Sequence, residues 1–166
     1  MIGALDVHYG AEGAHAAALL FAHWQATAAA ATHCATDPQV ADYQPGHFYL
    51  RELGPLLAVI RAITLPVHTW VIDGYCQLSP EGAPGLGARL HAVLPASACI
   101  VGVAKRRYRE ATHAVEVLRG SSRQPLFVTA IGMDVEVAAC LVAGMSGAHR
   151  LPLLLKAVDQ LARRLA

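Results

Sequence analysis

Three carboxylates and one lysine stand beside apolar segments in a chain that has few acids. Asp6 lies in IGALDVHY, Glu52 in YLRE, Asp73 in HTWVIDGY and Lys105 in ACIVGVAKRR, and only 12 of the 166 residues are Asp or Glu. Asp6, Asp73 and Lys105 each close an apolar run that is typical of a buried strand. A carboxylate beside a hydrophobic core is costly unless it is compensated, and a divalent cation commonly compensates several that converge. The pattern therefore predicts a metal-dependent phosphodiester site.

Hydrolysis of a phosphodiester would need each of these groups. The reaction requires a water that is nucleophilic near neutral pH and compensation for charge on the leaving oxygen. Magnesium held by two or three carboxylates can supply both, and manganese is the alternative cation. The ammonium group of Lys105 would add a point charge for the phosphate.

The composition predicts a single cytoplasmic domain over residues 1–166. Hydrophobic residues make up 55% of the chain and charged residues 15%, yet no stretch reaches the roughly 18 uninterrupted apolar residues of a membrane helix. No basic region precedes an apolar stretch, so we expect no signal peptide. The four cysteines form no C-x-x-C pair, which argues against zinc and disulfide frameworks.

Basic residues are concentrated after Lys105, although the net charge of the whole chain is only +1. The segment from 105 to 123 holds six of them: Lys105, Arg106, Arg107, Arg109, Arg119 and Arg123. Such a cluster is often a solvated face. Its position directly after a predicted buried strand also fits the wall of a nucleic-acid site, and both interpretations stay open.

Hydrophobic patterning predicts strands first and then alternating helices and strands. Strands are expected at residues 2–8, 14–23, 27–34, 67–72, 98–103 and 126–129. Helices are expected at residues 51–63, 84–93, 134–145 and 153–165, with Asp134 as an N-cap. Alanine favours helix in the second and third strands, so those two rest on spacing and on a hairpin-like connection. This order predicts one α/β domain with a mixed sheet flanked by helices.

The chain resembles the endonuclease V family in five motifs that occur in the family's order. They are LDVHY, YQPG followed by RE, VIDG, GVAK and the closing segment PLFVT…HRLPLLLKAVDQLAR. The resemblance runs from Ile2 to about Arg164. It implies an RNase H-like fold and a magnesium-dependent endonuclease that nicks DNA or RNA near deaminated adenine, that is, inosine.

The resemblance also implies roles for individual residues. Asp6, Glu52 and Asp73 match the family's metal-binding acids, and Lys105 matches the lysine that approaches the scissile phosphate. Each acid has a structural alternative. Asp6 and Asp73 could cap strand ends, while Glu52 could pair with its neighbour Arg51 or favour a helix N-terminus.

A loop motif and two arginines complete the implied nucleic-acid interface. Tyr43, Pro45 and Gly46 resemble the family's wedge, which separates strands beside the flipped base, although Tyr43 could be an ordinary loop aromatic that covers core. Arg106 and Arg107 are expected to contact the nucleic-acid backbone together with Lys105.

Two positions depart from the family. A histidine that usually follows the second aspartate corresponds to Ser79, and a second histidine corresponds to Met133. Loss of these groups leaves an alternative from another class, a catalytically weakened or inactive relative that binds nucleic acid. Retention of all three acids favours the enzyme.

Overall fold

A seven-stranded mixed sheet with helices on both faces forms the protein. The computed structural model describes residues 1–11, 13–38 and 49–166. Its strands are β1 (Ile2–Gly10), β2 (Gly13–Phe21), β3 (Ala31–Asp37), β4 (Thr69–Ile72), β5 (Cys99–Ala104), β6 (Val115–Val117) and β7 (Leu126–Ile131). Its helices are α1 (Tyr49–Arg61), α2 (Leu86–His91), α3 (Val135–Ala143) and α4 (Leu153–Leu165). None of these helices is long and apolar enough to cross a membrane.

The strand order places three parallel strands at the centre of the sheet. The order is β3-β2-β1-β4-β5-β7-β6, with β1, β4 and β5 parallel and the remaining pairs antiparallel. Because the carboxyl ends of parallel strands meet at one edge, residues that follow β4 and β5 lie near the middle of β1. The predicted α/β class with a mixed sheet is confirmed.

Side-chain alternation divides the core between the two faces of the sheet. Ile2, Ala4 and Val71 pack under α3 and α4, whereas Leu5 and Ile72 pack under α1 and α2. Successive residues of a strand point to opposite faces, so an apolar run without alternation marks a strand that is covered on both sides.

The alanine-rich second strand shows why the strand prediction succeeded against helix propensity. In β2 all residues from Ala14 to Phe21 are buried. Ala16 and Ala18 pack on the α1 side, and Ala17 packs on the α4 side. Small side chains let a helix approach each face of the strand closely, so tertiary packing overrides the intrinsic preference of alanine for helix.

The sequence misjudged three details of the elements. β1 continues to Gly10, so Asp6 lies within the strand rather than at its end. The three-residue edge strand β6 has no sequence signal of its own and forms by pairing with β7. The short helix predicted over residues 84–93 spans only Leu86–His91.

Asp134 is the N-cap of α3, as predicted, since its carboxylate accepts hydrogen bonds from the backbone N–H groups of Glu136 and Val137 at 2.9 and 3.0 Å.

Arg119 fixes the connection between α3 and α4. Only 7% of it is exposed, and its guanidinium donates to backbone carbonyl oxygens in the segment that joins these helices. The acceptors belong to Ala143, Met145, Gly147, His149 and Arg150. The guanidinium therefore satisfies carbonyl groups that the end of α3 leaves without helical partners.

We predict that Arg119→Leu lowers the free energy of unfolding by roughly 2–4 kcal/mol, because several carbonyl groups lose a charged donor together. Urea unfolding followed by circular dichroism measures the change. Arg123→Ala is the matched control, since Arg123 is exposed, and it should stay within about 0.5 kcal/mol of wild type. Equal stability of the two variants would contradict the anchoring role.

Candidate active site

The central parallel strands bring Asp6, Asp73 and Lys105 to one edge of the sheet. The last parallel pair between β1 and β4 is Leu5 with Ile72, so Asp6 and Asp73 are the next residues on each strand. Lys105 directly follows β5. Alternation from Ala4, Val71 and Val103 in the core of the α3–α4 face points all three side chains to that face.

Helix α4 adds a fourth group, Asp159, to this edge. Carboxylate oxygens of Asp6, Asp73 and Asp159 all lie within 4.8 Å of one another, and this is the one such cluster of three acids, histidines or cysteines among the described residues. Asp159 was not among the site residues predicted from the sequence. The available signal was its spacing in the helix, because Asp159 follows buried Leu155 by four residues and precedes buried Ala162 by three, which puts an acid in the apolar stripe.

Cations balance the cluster. Lys105 Nζ lies 2.5 Å from Asp73 Oδ2 and 3.2 Å from Asp159 Oδ1. Arg163, one turn after Asp159, donates from Nε to Oδ2 at 2.9 Å and from Nη2 to Oδ1 at 3.2 Å. The side chain of Asp159 is 18% exposed and that of Asp73 is 37% exposed, so solvent reaches the cluster mainly on the Asp73 side.

Glu52 approaches from the other layer of the structure. It lies in the first turn of α1, whose apolar residues pack on the opposite face of the sheet from α4. Glu52 is outside the three-acid cluster. Burial, together with the charges of Asp6 and Asp73, raises the pKa of Glu52 to about 8, although Arg51 opposes the increase. The carboxylate is therefore an electrostatic neighbour of the cluster.

Asp6 is the acid of the cluster with the most unfavourable surroundings for its charge. Burial and the charge of Asp73 raise the pKa of Asp6 to about 7, although Lys105 and the backbone N–H of Val7 oppose the increase. By contrast, the hydrogen bonds from Arg163 lower the pKa of Asp159, and together with Lys105 they outweigh the opposing effect of burial. For Lys105, burial lowers the pKa, but Asp73 and Asp159 overcome this and leave it raised.

This donor set fits a divalent cation. Hard cations of the magnesium and calcium class take carboxylate oxygens at roughly 2.0–2.6 Å, and three oxygens that already lie within 4.8 Å of one another need little rearrangement to share one ion. After burial, the charge of Asp73 contributes to the raised pKa values of Asp6 and Glu52, so the negative charge of the cluster is not fully compensated. The site has capacity for further positive charge.

An apolar pocket opens beside the acids. Its volume is about 210 Å³. Glu52 and Asp73 form its polar end, and the remaining lining residues are Gly74, Tyr75, Leu78, Pro84, Gly85 and Leu86. The Tyr75 hydroxyl fixes one wall, since it donates to the carbonyl oxygen of Arg106 at 2.9 Å and accepts from the N–H of Tyr108 at 3.0 Å.

The other predicted site residues have different outcomes. Arg106 and Arg107 do lie with Lys105, along a groove that continues from the acid cluster. Tyr43, Pro45 and Gly46 lie outside the described residues, so their assignment stays a prediction.

Met133 lies far from the acids. It follows Ile131, which pairs with Ile100 near the start of β5, whereas Lys105 follows the other end of that strand. Five residues of strand separate the two ends, roughly 16 Å. The position assigned from sequence to a family histidine is therefore not part of the site, and Asp159 is the residue from the C-terminal region that reaches it.

Comparisons with known proteins concern the family and the fold of the chain. A family model described as Endonuclease V matches residues 1–160. An endonuclease V structure from Streptomyces avermitilis is 24% identical with a TM-score of 0.78, and the match covers 99% of this chain and 80% of that one. Endonuclease V of Ciona intestinalis, in complex with a 23mer DNA containing an inosine followed by a ribo-adenosine, is 18% identical with a TM-score of 0.80, covering 99% and 84%. Human ENDOV is 18% identical with a TM-score of 0.74, covering 99% and 83%. No curated protein sequence matches the chain significantly.

We predict that the metal-free protein loses stability as the pH rises from about 5 to about 9. The pKa values of Asp6 and Glu52 in the folded protein, about 7 and about 8, lie above their ordinary values. Their protonated forms therefore stabilise the fold fully below the ordinary pKa, and this contribution is lost as the pH passes through 7 to 8. Thermal unfolding in EDTA should show a flatter pH profile for Asp6→Asn, whereas Glu136→Gln, on an exposed part of α3, should retain the wild-type profile. Identical profiles for wild type and Asp6→Asn would refute this electrostatic account.

Proposed function

Because the chain belongs to the endonuclease V family, we propose that it is a magnesium-dependent endonuclease that nicks DNA or RNA near inosine. The observation that supports this most is the convergence of Asp6, Asp73 and Asp159 within 4.8 Å, beside the Lys105 ammonium. Manganese is an alternative cation, because both ions prefer carboxylate oxygens.

The four acids would have two kinds of role, as ligands of the cation and as a charged neighbour of those ligands. Asp6, Asp73 and Asp159 would hold the cation, and Glu52 would complete the acidic site from α1. A divalent cation bound there stabilises the charge that builds on a phosphate and makes water a better nucleophile near neutral pH. Arg163 holds Asp159 through both carboxylate oxygens, which keeps this ligand ionised and oriented.

Lys105 would change partners when substrate binds. Its ammonium donates to Asp73 and Asp159. A phosphate oxygen beside Nζ would accept a hydrogen bond from the ammonium in place of these carboxylates, and this contact would stabilise negative charge in the transition state. The side chain is 36% exposed, so a phosphate has access to Nζ.

The apolar pocket beside Glu52 and Asp73 suits an extruded base. Its volume of about 210 Å³ exceeds that of a single purine, and enzymes that act near an altered base commonly hold it out of the stack in such a pocket. Inosine is proposed here because the Ciona intestinalis relative was crystallised with inosine-containing DNA. Tyr43, Pro45 and Gly46 would act as the wedge beside this base.

We predict that the protein nicks inosine-containing DNA or RNA oligonucleotides with magnesium or manganese and not with EDTA. Asp73→Asn and Asp159→Asn should each reduce the single-turnover nicking rate by more than about a hundredfold, since each removes a charged ligand. Asp134→Asn is the matched control because asparagine also serves as an N-cap, and it should retain the wild-type rate. Nicking that persists in EDTA would exclude the metal mechanism. Saturable binding without nicking would instead indicate the inactive nucleic-acid-binding relative.

A second prediction concerns the wedge. Tyr43→Ala should erode the preference for inosine over adenine, because an aromatic ring stacked beside the base contributes about 1–3 kcal/mol. Tyr43→Phe retains the ring and should retain the preference. Competition binding between matched inosine and adenine oligonucleotides measures the ratio. An unchanged ratio in Tyr43→Ala, with binding still measurable, would show that the base is recognised elsewhere.

A further inference from the structure

A second concave surface, the basic groove, continues from the acid cluster on the side of Lys105. Its volume is about 460 Å³, within the range of roughly 300–1,000 Å³ that small-molecule ligands occupy. The described residues that line it are Lys105, Arg106, Arg107, Gln124, Pro125, Phe127 and Arg150. Four of these are basic and none is acidic. Lys105 belongs to both surfaces, since its Nζ faces Asp73 and Asp159 while its backbone forms part of the groove.

Arg150 joins the two walls of the groove. Its Nη2 donates to the carbonyl oxygen of Lys105 on one wall and to that of Pro125 on the other, the latter at 2.8 Å. Nη1 lies 3.4 Å from Gln124 Oε1. Its Nε is buried and has no hydrogen-bond partner within the described part of the chain. The guanidinium is thus held at the groove by neutral acceptors alone.

About half of the positive charge of the groove is uncompensated, since Lys105 pairs with Asp73 and Asp159. Among residues 1–11, 13–38 and 49–166, no carboxylate lies within ion-pair distance of Arg106 or Arg150. Arg107 does pair with Glu116. A half-buried guanidinium without a carboxylate partner retains its attraction for anions, and its planar donors suit phosphate oxygens.

Arg107 gives the groove a flat surface. Its guanidinium lies over the ring of Phe127, 5.0 Å from the centroid, and Glu116 holds it from the side. The Arg107 side chain is nevertheless 60% exposed. A fixed guanidinium plane with one exposed face is a surface on which an unstacked nucleobase can stack.

We infer that the basic groove is a subsite for the nucleotide that neighbours the cleaved bond on the substrate strand. Arg106 and Arg150 bind its phosphate, and the exposed face of Arg107 stacks on its base. This assignment rests on the proposed nuclease function, because it takes the acid cluster as the place where the strand is cut. Lys105, which lines both surfaces, then lies between the phosphate at the acid cluster and the phosphate in the basic groove. The strand therefore runs from the cluster into the groove.

Binding without cleavage tests the groove independently of nuclease activity. A fluorescein-labelled single-stranded inosine oligonucleotide is titrated in EDTA at several salt concentrations with wild type, Arg106→Gln, Arg150→Lys and Arg61→Gln. Arg61 is exposed at the far end of α1 from Glu52 and serves as the control. The salt slope of Arg106→Gln should fall by about 0.7, as expected for one lost phosphate contact on a single strand, while Arg61→Gln keeps the wild-type slope. Equal slopes for these two variants, or no binding by wild type, would overturn the subsite.

Cleavage of modified substrates locates the contact. Methylphosphonates, which lack the phosphate charge, are placed singly at each of the phosphates that flank the nick, and single-turnover rates are measured with magnesium. One position next to the nick should slow wild type by roughly tenfold to a hundredfold, as expected for one charged hydrogen bond. The same substitution should have little further effect on Arg106→Gln or Arg150→Lys. If each methylphosphonate slowed the arginine variants by the same factor as wild type at every position, the assignment would be refuted.

The binding experiment and the cleavage experiment together distinguish a failure of this inference from a failure of the proposed function. Absence of nicking together with a reduced salt slope in Arg106→Gln leaves the groove in place and rejects the nuclease. If the protein nicks, but the methylphosphonate and the arginine substitution reduce the rate independently at every position, the nuclease function is retained and the groove is rejected. Arg106 is exposed, so Arg106→Gln decides the question even if Arg150→Lys unfolds.

Discussion

Repulsion among carboxylates at the edge of the sheet is the constraint on which the site depends. The register of β1 with β4 puts Asp6 beside Asp73, and α4 brings Asp159 within 4.8 Å of both. Such a cluster forms only if cations balance it, and Lys105 and Arg163 do so from two different elements. The balance is incomplete, because the charge of Asp73 adds to the effect of burial in raising the pKa of Asp6. The remaining negative charge would favour a divalent cation at this cluster.

The rest of the architecture holds two layers against this edge. Small residues in β2 let α1 and α4 pack closely on opposite faces of one strand, so Glu52 and Asp159 reach the same edge from different layers. Arg119 fixes the start of α4, and Arg150 ties the end of β5 to the start of β7. Lys105 stands where the acid cluster meets the basic groove. The negative potential of the acid cluster and the positive potential of the basic groove therefore meet at Lys105. This arrangement suits a substrate whose phosphate must approach a site made of carboxylates.

The sequence by itself determined the fold class and three members of the site. Apolar runs too short for helices predicted the strands, and helical spacing predicted α4 over its observed range. Asp6, Asp73 and Lys105 could be recognised because polar groups beside buried strands are locally costly. That cost can be read from neighbouring residues alone. The order of motifs supplied the family, which the match over residues 1–160 confirms.

Tertiary structure alone decided which side chains meet. Asp159 is close to Asp6 only because α4 crosses the sheet above β1, and its place in an apolar stripe carried no partner information. Met133 stands at the position that the sequence matches to a family histidine, yet β7 runs antiparallel to β5 and carries this position to the end of the sheet away from the acids. Glu52 was predicted as a metal ligand together with Asp6 and Asp73, and its place beside rather than within the three-acid cluster depends on how α1 packs. Strand direction and helix packing are long-range properties, so spacing along the chain determines the candidates for the site and the fold determines the distances between them.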